Sequence, residues 1–450
     1  MWRKFYNIAD DKNLIFEILS SEFYLRPLYR WALSRLHELG PDAQREYQFC
    51  RLKLILRHAY HNIPYWRNSI DPKVFNGQML DVQAFNRLAV LTRETLKIKL
   101  QEFMVKDIRR YKWRDFFTSG STGIPQRFLA KKVYFQKMVA AEEFHARRFG
   151  LKNFKRYGYL LPKPHLFDLV THFDVNKDPF DWDNRKLLNS WLKEKKIQVL
   201  AAVLNRLLIL EKSIKWGEVR PNLKFVMSGS EYMSAETRYY LERVLFRCPV
   251  YNKYACAEAG MLGIECPTTH LGFHIDPVNF YLEIVDDGGC PVKNENSGRV
   301  IITTFNNRLM PLIRYDLGDT GRWIKGECGC GLKTPRLLFE GRRLEYLKLP
   351  DGRKYSATSI GRALDRYVWH IIRKYQLVQE SLHKLTFRFV PTESYRPHHG
   401  VFIKDCIRRH LRNPSDVEVK IQTEPFLDNL KNGKYVIFKS EIKHEPPTDN

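Results

Sequence analysis

Apolar side chains return every three to four positions in "LIFEILSSEFYLRPLYRWALSRL" and again in "CRLKLILRHAYHN", until "NIPYW" breaks the run. That spacing predicts a helical start over residues 12 to 62. From about residue 110 the pattern changes, and short apolar runs stop in glycine-rich loops before amphipathic stretches. "LKFVMSGSEYMSAETRYYLERVLF" reads as strand, loop and capped helix in succession, and alternation of this kind predicts an α/β fold. "FYLEIVDDGG", "SGRVIITTF" and "PLIRYDLGDTGRWI" are strand patterns separated by glycine turns, which predicts an added antiparallel sheet. "IQVLAAVLNRLLIL", interrupted by Asn205 and Arg206, is too short to cross a bilayer and reads as a buried helix.

After "FEGRRLEYLKLPDGRKYS" the pattern predicts a helix near 358 to 374, a strand in "KLTFRFV", a helix near 400 to 412, and strands around "DVEVKI" and "YVIFKS". A domain boundary therefore falls near Gly341, giving a large domain over 1–340 and a small α+β domain over 341–450. Two or more domains also suit 450 residues, more than one core ordinarily supports. The final "KHEPPTDN" reads as a frayed tail.

With 44% hydrophobic and 13% aromatic residues, the chain has enough apolar surface to exclude a disordered protein. The start lacks the apolar core of a signal peptide, and eight cysteines without one read as reduced thiols or metal ligands, so a cytoplasmic location is expected. A net charge of +25 attracts nucleotides, nucleic acid or an anionic membrane surface. The surplus is scattered, with neither an arginine-rich tail nor zinc-finger spacing. That argues against a dedicated nucleic-acid role and leaves peripheral membrane contact open.

"DFFTSGSTGIPQRF" has the composition of a phosphate cradle: glycines let backbone N–H groups converge, and Thr118, Ser119, Ser121 and Thr122 add hydroxyls beside Gly120 and Gly123. It lacks the Gly-Lys-Ser/Thr ending of the common NTPase loop. "SGSEYMS" at 228–234, "YACAEAG" at 254–260, "RYDLGDTGRW" at 314–323, "EGRR" at 340–343 and "NGKYVIFKSEI" at 432–442 follow it in order. This series resembles the adenylate-forming superfamily, within it the phenylacetate-CoA ligase family, and most closely the CapK-like capsule-biosynthesis branch. "LKLILRHAYHNIPYWRNSI" and "LAVLTRETLK" are similar to that family's amino-terminal region, so the resemblance spans nearly the whole chain.

The resemblance implies a multi-subdomain amino-terminal domain with a small mobile carboxy-terminal domain. The implied activity is an ATP-dependent activation of a small carboxylic acid as its acyl-adenylate, followed by transfer to coenzyme A. It places Thr118 to Gly123 on the β- and γ-phosphates of ATP and Glu258 on Mg²⁺. Gly229, Ser230 and Glu231 would lie along the adenine, with Tyr254 near the base. Asp319 would take the ribose hydroxyls, and Arg342 would reach the ribose or phosphates. Lys434 would bridge the substrate carboxylate and the α-phosphate, a task that suits a compact charge on a long stem. At the hinge beside "GRR", Leu344 stands where relatives carry a polar residue. Transfer to another acceptor, release of the adenylated compound, and a basic nucleotide-binding protein without catalysis are the competing readings.

A second constellation is cysteine-based. "IECPTTHLGFHID" offers Cys266 with His270 or His274, and "GECGCGLKTP" offers Cys328 and Cys330. Together they could close a tetrahedral Cys₃His structural zinc site across two loops, with His274 the better-placed fourth ligand; the competing reading is reduced, partly buried thiols.

Overall fold

The structure, a computed structural model, describes residues 15, 18, 26–117, 126–161, 171–174, 182–204, 207, 210, 214–229, 233, 235–293, 296–342, 346–356, 360, 364, 371–412, 415–427 and 438–442. The chain divides into two compact units. Met1–Ser230, Cys248–Leu317 and Gly321–Phe339 make the first; Glu231–Arg247, Gly318–Thr320 and Glu340–Asn450 make the second.

The first unit opens with helices α1 (Arg26–Glu38) and α2 (Pro41–Asn62). Pro41 begins α2 with a ring already set to helical φ, and Asp42 complements the positive end of the helix. Leu52, Ile55, Leu56 and Ala59 form its buried face at helical spacing, and Pro64 stops it. Strands β1 (Arg114–Phe117) and β2 (Arg127–Ala130) then pair antiparallel, with Phe117 opposite Arg127, and α3 (Lys132–Arg148) follows.

Next come β3 (Tyr157–Leu161), β4 (Thr171–Asp174), α4 (Trp182–Glu194), β5 (Val199–Val203), β6 (Phe225–Gly229), β7 (Val250–Cys256), β8 (Gly260–Glu265) and β9 (Phe273–Ile275). β10 (Phe280–Val285), β11 (Gly298–Thr304), β12 (Tyr315–Ile324) and β13 (Arg336–Arg342) complete one eleven-stranded sheet, ordered β10-β11-β12-β13-β9-β8-β7-β6-β5-β3-β4. The seam is β7, which pairs parallel with β6 on one side and antiparallel with β8 on the other.

Two expectations change here. The glycine-punctuated runs do not build a separate sheet; they extend this one, because β8 carries the antiparallel half straight onto the parallel half. Val199–Val203, expected as helix, is a strand between β3 and β6. A strand buried on both faces is a continuous apolar run, and five such residues have no periodicity to separate them from helix. The mixed α/β class stands.

One buried cation ties loops to this sheet. Arg314 is 1% exposed and donates to the carbonyls of Asn86 at 2.7 Å, Gly289 at 2.6 Å and Leu88, while pairing with Glu283 at 3.1 Å. Its positive φ of 48° shows that this seat is held against the usual preference of an L residue.

In the second unit, Ala235–Tyr239 is a short helix that runs on as a π-helical turn over Tyr240–Leu245. β14 (Tyr346–Lys348) and β15 (Lys354–Ser356) form a hairpin. β16 (Ile372–Ser381), β17 (Lys384–Pro391), β18 (Glu418–Thr423) and β19 (Phe438–Ser440) form a four-stranded sheet, and α5 (Pro397–His410) buries Ile403, Cys406 and Ile407 in the same core as Leu385, Phe387 and Phe389. The helix expected near 358 to 374 is helical at Ile360 and Leu364 and gives way to strand at Ile372; residues 358–359, 361–363 and 365–370 of it lie outside the described residues. Among the described residues, no helix is long and apolar enough to cross a membrane.

Candidate functional site

Glu258 sits in the tight turn between β7 and β8 and is 9% exposed. Two phenols hold it: Tyr134, from the first turn of α3, donates to its backbone carbonyl, and the Tyr315 hydroxyl lies 3.5 Å from its Oε1. Burial, and then nearby negative groups that include Glu258, push both phenols well above their ordinary range, so they remain protonated donors. Gly260 completes the turn with a φ of 77°, and a Cβ there would lie 2.6 Å from Met138 Cε. The positive φ favours glycine, and any side chain there would have to displace that of Met138. A buried carboxylate on a fixed turn is suited to a hard cation, which takes oxygen ligands.

In the second unit Asp319 and Arg342 meet. Arg342 Nε lies 3.3 Å from Asp319 Oδ1, with the carboxylate buried and the guanidinium half-exposed. Gly318, with a φ of 75°, precedes Asp319, and the Thr320 hydroxyl donates to the Gly341 carbonyl at 3.1 Å.

The remaining nucleotide residues divide. Gly229 ends β6, where a side chain would come within 2.9 Å of Lys253 Cγ. Tyr254 on β7 is 8% exposed and packs between Phe273 and Phe339, with ring centroids 5.8 and 5.5 Å away. Thr118, Ser119, Gly120, Ser121, Thr122, Gly123, Ser230, Glu231, Leu344 and Lys434 lie outside the described residues.

A polar network that the sequence does not advertise lies beside Gly229. Lys253 Nζ is 2.5 Å from Glu142 Oε1 and 4.8 Å from the Tyr159 ring centre, and the Tyr157 hydroxyl donates to the same carboxylate. Its members come from α3, β3 and β7, so only the fold assembles it.

The cysteine constellation does come together. One ligand atom from each of Cys266, His274, Cys328 and Cys330 lies within 4.8 Å of the others. Cys266 Sγ is 3.3 Å from Cys328 Sγ, and Cys330 Sγ is 3.2 Å from His274 Nε2. His274 Nδ1 lies 3.2 Å from the Thr334 carbonyl, which aims Nε2 at the sulfurs. His270 turns aside to Glu265 at 3.6 Å. Burial opposes ionisation of Cys266, but hydrogen bonds from Thr268 and Thr269 outweigh it and bring the thiol down to about 5. Burial pushes Cys330 up to about 11. Three thiols and an imidazole at these separations match a tetrahedral zinc donor set.

No protein-family model matches the chain. Its sequence is similar to the phenylacetate-coenzyme A ligase of Thermus thermophilus, 23% identical over 319 residues that cover 67% of this chain and 71% of that one. It is also similar to the phenylacetate-coenzyme A ligase of Aromatoleum evansii, 24% identical over 308 residues that cover 65% of this chain and 69% of that one. Among solved structures it resembles a 2-hydroxyisobutyryl-CoA ligase in the postadenylation state in complex with 2-HIB-AMP. The TM-score is 0.74 at 16% identity, with 91% of this chain and 92% of that one covered. The chain thus has the fold seen in adenylate-forming CoA ligases.

Proposed function

We propose that the chain is an ATP-dependent ligase that activates a carboxylic acid as its acyl-adenylate and passes the acyl group to coenzyme A. The observation that carries this is its similarity, over about two thirds of its length, to two phenylacetate-coenzyme A ligases. The CapK-like branch is the finer assignment, supported by the ordered motifs from "TSGSTGIP" to "NGKYVIFKSEI".

In the first step a carboxylate oxygen attacks the α-phosphorus of ATP, and the bond to pyrophosphate breaks. In the second the coenzyme A thiolate attacks the acyl carbon, and AMP leaves with the electron pair of the mixed-anhydride bond. Both steps bring anions together, so the protein's work is positioning and charge neutralisation. On this proposal Thr118 to Gly123 hold the terminal phosphates, and Lys434 offsets the charge gathering between carboxylate and α-phosphate. Glu258 would hold Mg²⁺, whose charge would neutralise the departing pyrophosphate. Asp319 would accept from the ribose hydroxyls, with Arg342 beside it on the ribose or phosphates, and Gly229, Ser230, Glu231 and Tyr254 would border the adenine. Cys266, His274, Cys328 and Cys330 would hold a structural Zn²⁺ that pins two loops and takes no part in the reaction.

A second reading, adenylation with a different acceptor, is favoured by Leu344 at the expected hinge. Exchange of labelled pyrophosphate into ATP over a panel of aryl and aliphatic acids tests the first step. Exchange should depend on the acid, and Lys434→Ala should slow it by roughly 10²–10³-fold. No exchange with any acid would leave a nucleotide-binding protein without catalysis. Thioester formation on adding coenzyme A then separates the two acceptors.

A further inference from the structure

Three ionisable side chains meet deep in the first unit with most of their polar atoms unpaired among the described residues. His37, in the last turn of α1, is 4% exposed; His145, in the last turn of α3, and Asp276, just past β9, are each 1% exposed. Among the described residues, neither nitrogen of either imidazole has a hydrogen-bond partner, and neither does Asp276 Oδ2. One ligand atom from each residue lies within 4.8 Å of the other two. The rings of His37 and His145 stand edge to face at 5.7 Å, and Phe144 lies 4.5 Å from His37.

Physical cost makes this arrangement informative. Leaving a buried polar group without a partner is costly, and more so when it is charged, so five such atoms at one point are a large unfavourable sum. Folded proteins satisfy such groups or replace them with hydrocarbon. Asp276 Oδ1 accepts from the Val278 N–H at 2.7 Å, which fixes the carboxylate and leaves Oδ2 facing the imidazoles. Two neutral rings and one anchored carboxylate are a ready donor set for a borderline divalent ion, at metal–ligand distances of about 2.0–2.2 Å.

We infer that His37, His145 and Asp276 bind a divalent transition-metal ion, of the zinc class, at a second buried centre separate from the cysteine cluster. The two differ in donors and adjoin at β9, where His274 serves the first and Asp276, two residues on, serves the second. The cysteine cluster gathers the end of β8, β9 and the loop between β12 and β13, whereas this centre clamps the carboxy-terminal turns of α1 and α3 onto the sheet. Its depth implies that the ion enters as the chain folds, so occupancy is set during expression. The centre is independent of the proposed ligase activity.

The test uses the intact protein expressed in zinc-supplemented medium. Total zinc per chain, released under denaturing conditions, should exceed that of His145→Leu by about one equivalent, and Cys328→Ser should retain that equivalent. In crystals of the unmodified chain, an anomalous peak at the zinc edge should lie between His37, His145 and Asp276. Melting temperature gives an opposed readout. If the ion is bound, His145→Leu lowers it; if the site is dry or holds only water, exchanging an unpaired imidazole for hydrocarbon leaves it unchanged or raises it. Equal zinc in parent and His145→Leu, or a water without anomalous signal at the centre, overturns the inference. The crystal measurement needs no variant to fold.

Discussion

Arg342 Nε lies 3.3 Å from Asp319 Oδ1, and the pair is lopsided: the carboxylate side chain is 4% exposed and the guanidinium 43%. The acid is fixed by its surroundings while the base keeps an open side, an arrangement suited to a rigid acceptor beside an adaptable cation. On the proposed function Asp319→Ala should raise the KM for ATP roughly 10- to 100-fold, the worth of hydrogen bonds to a charged group, with little change in melting temperature. If Asp319 serves only to seat Arg342, steady-state kinetics will show an unchanged KM and thermal denaturation will show the loss.

Arg314 offers a stability prediction free of the function. Arg314→Ala leaves Glu283 and three carbonyls without their buried partner. It should cost about 3–5 kcal/mol, as removing one side of a buried ion pair does. Urea denaturation measures this, and a loss below about 1 kcal/mol would contradict the tying role. Replacing Arg314 and Glu283 together with leucine should recover part of the loss.

On the proposal that the cysteine cluster holds a structural Zn²⁺, Cys328→Ser should lower the zinc content by about one equivalent and lower the melting temperature, while turnover per folded molecule persists. Metal analysis and calorimetry on the same preparations decide it. Unchanged zinc content would remove Cys328 from the site, and lost turnover in folded protein would remove the structural role.

His410 carries a pH prediction for the second unit. Burial holds its imidazole below the ordinary 6.5, although it sits in the last turn of α5, where a helix attracts cations. The unfolded chain takes up a proton near 6.5 and the folded chain does so only at lower pH. Stability is therefore full above 6.5 and falls as pH drops toward the folded value. NMR titration should place the His410 midpoint below 6.5, and His410→Gln should flatten this part of the stability profile. A midpoint at or above 6.5 would mean that the helix end outweighs burial.

Much of the fold is written locally. The helical start, the strand Phe225–Gly229, the helix Ala235–Tyr239 and the helix Pro397–His410 all follow from spacing and breakers that act over a few residues. Val199–Val203 and Ile372–Ser381 were not legible as strands, because the first is apolar throughout and the second, "IRKYQLVQES", alternates too weakly to outvote a neighbouring helical pattern. The cysteine cluster was visible because Cys328 and Cys330 form a recognisable turn and sulfur has few competing uses. Glu142 with Lys253, and His37 with His145 and Asp276, carry no such local mark. Each set meets only after distant elements pack, and a single histidine or acid in a helix is indistinguishable from a surface residue until then.

The seam at β7 also bears on the order in which the protein assembles. Its antiparallel neighbour β8 follows across a tight turn, whereas its parallel neighbour β6 is reached only after the chain has passed through Ala235–Leu245. Chain-closure entropy favours the short connection. The β7–β8 ribbon that carries Glu258 is thus among the lowest-contact-order pieces of the sheet, a local nucleus onto which the parallel strands can later dock.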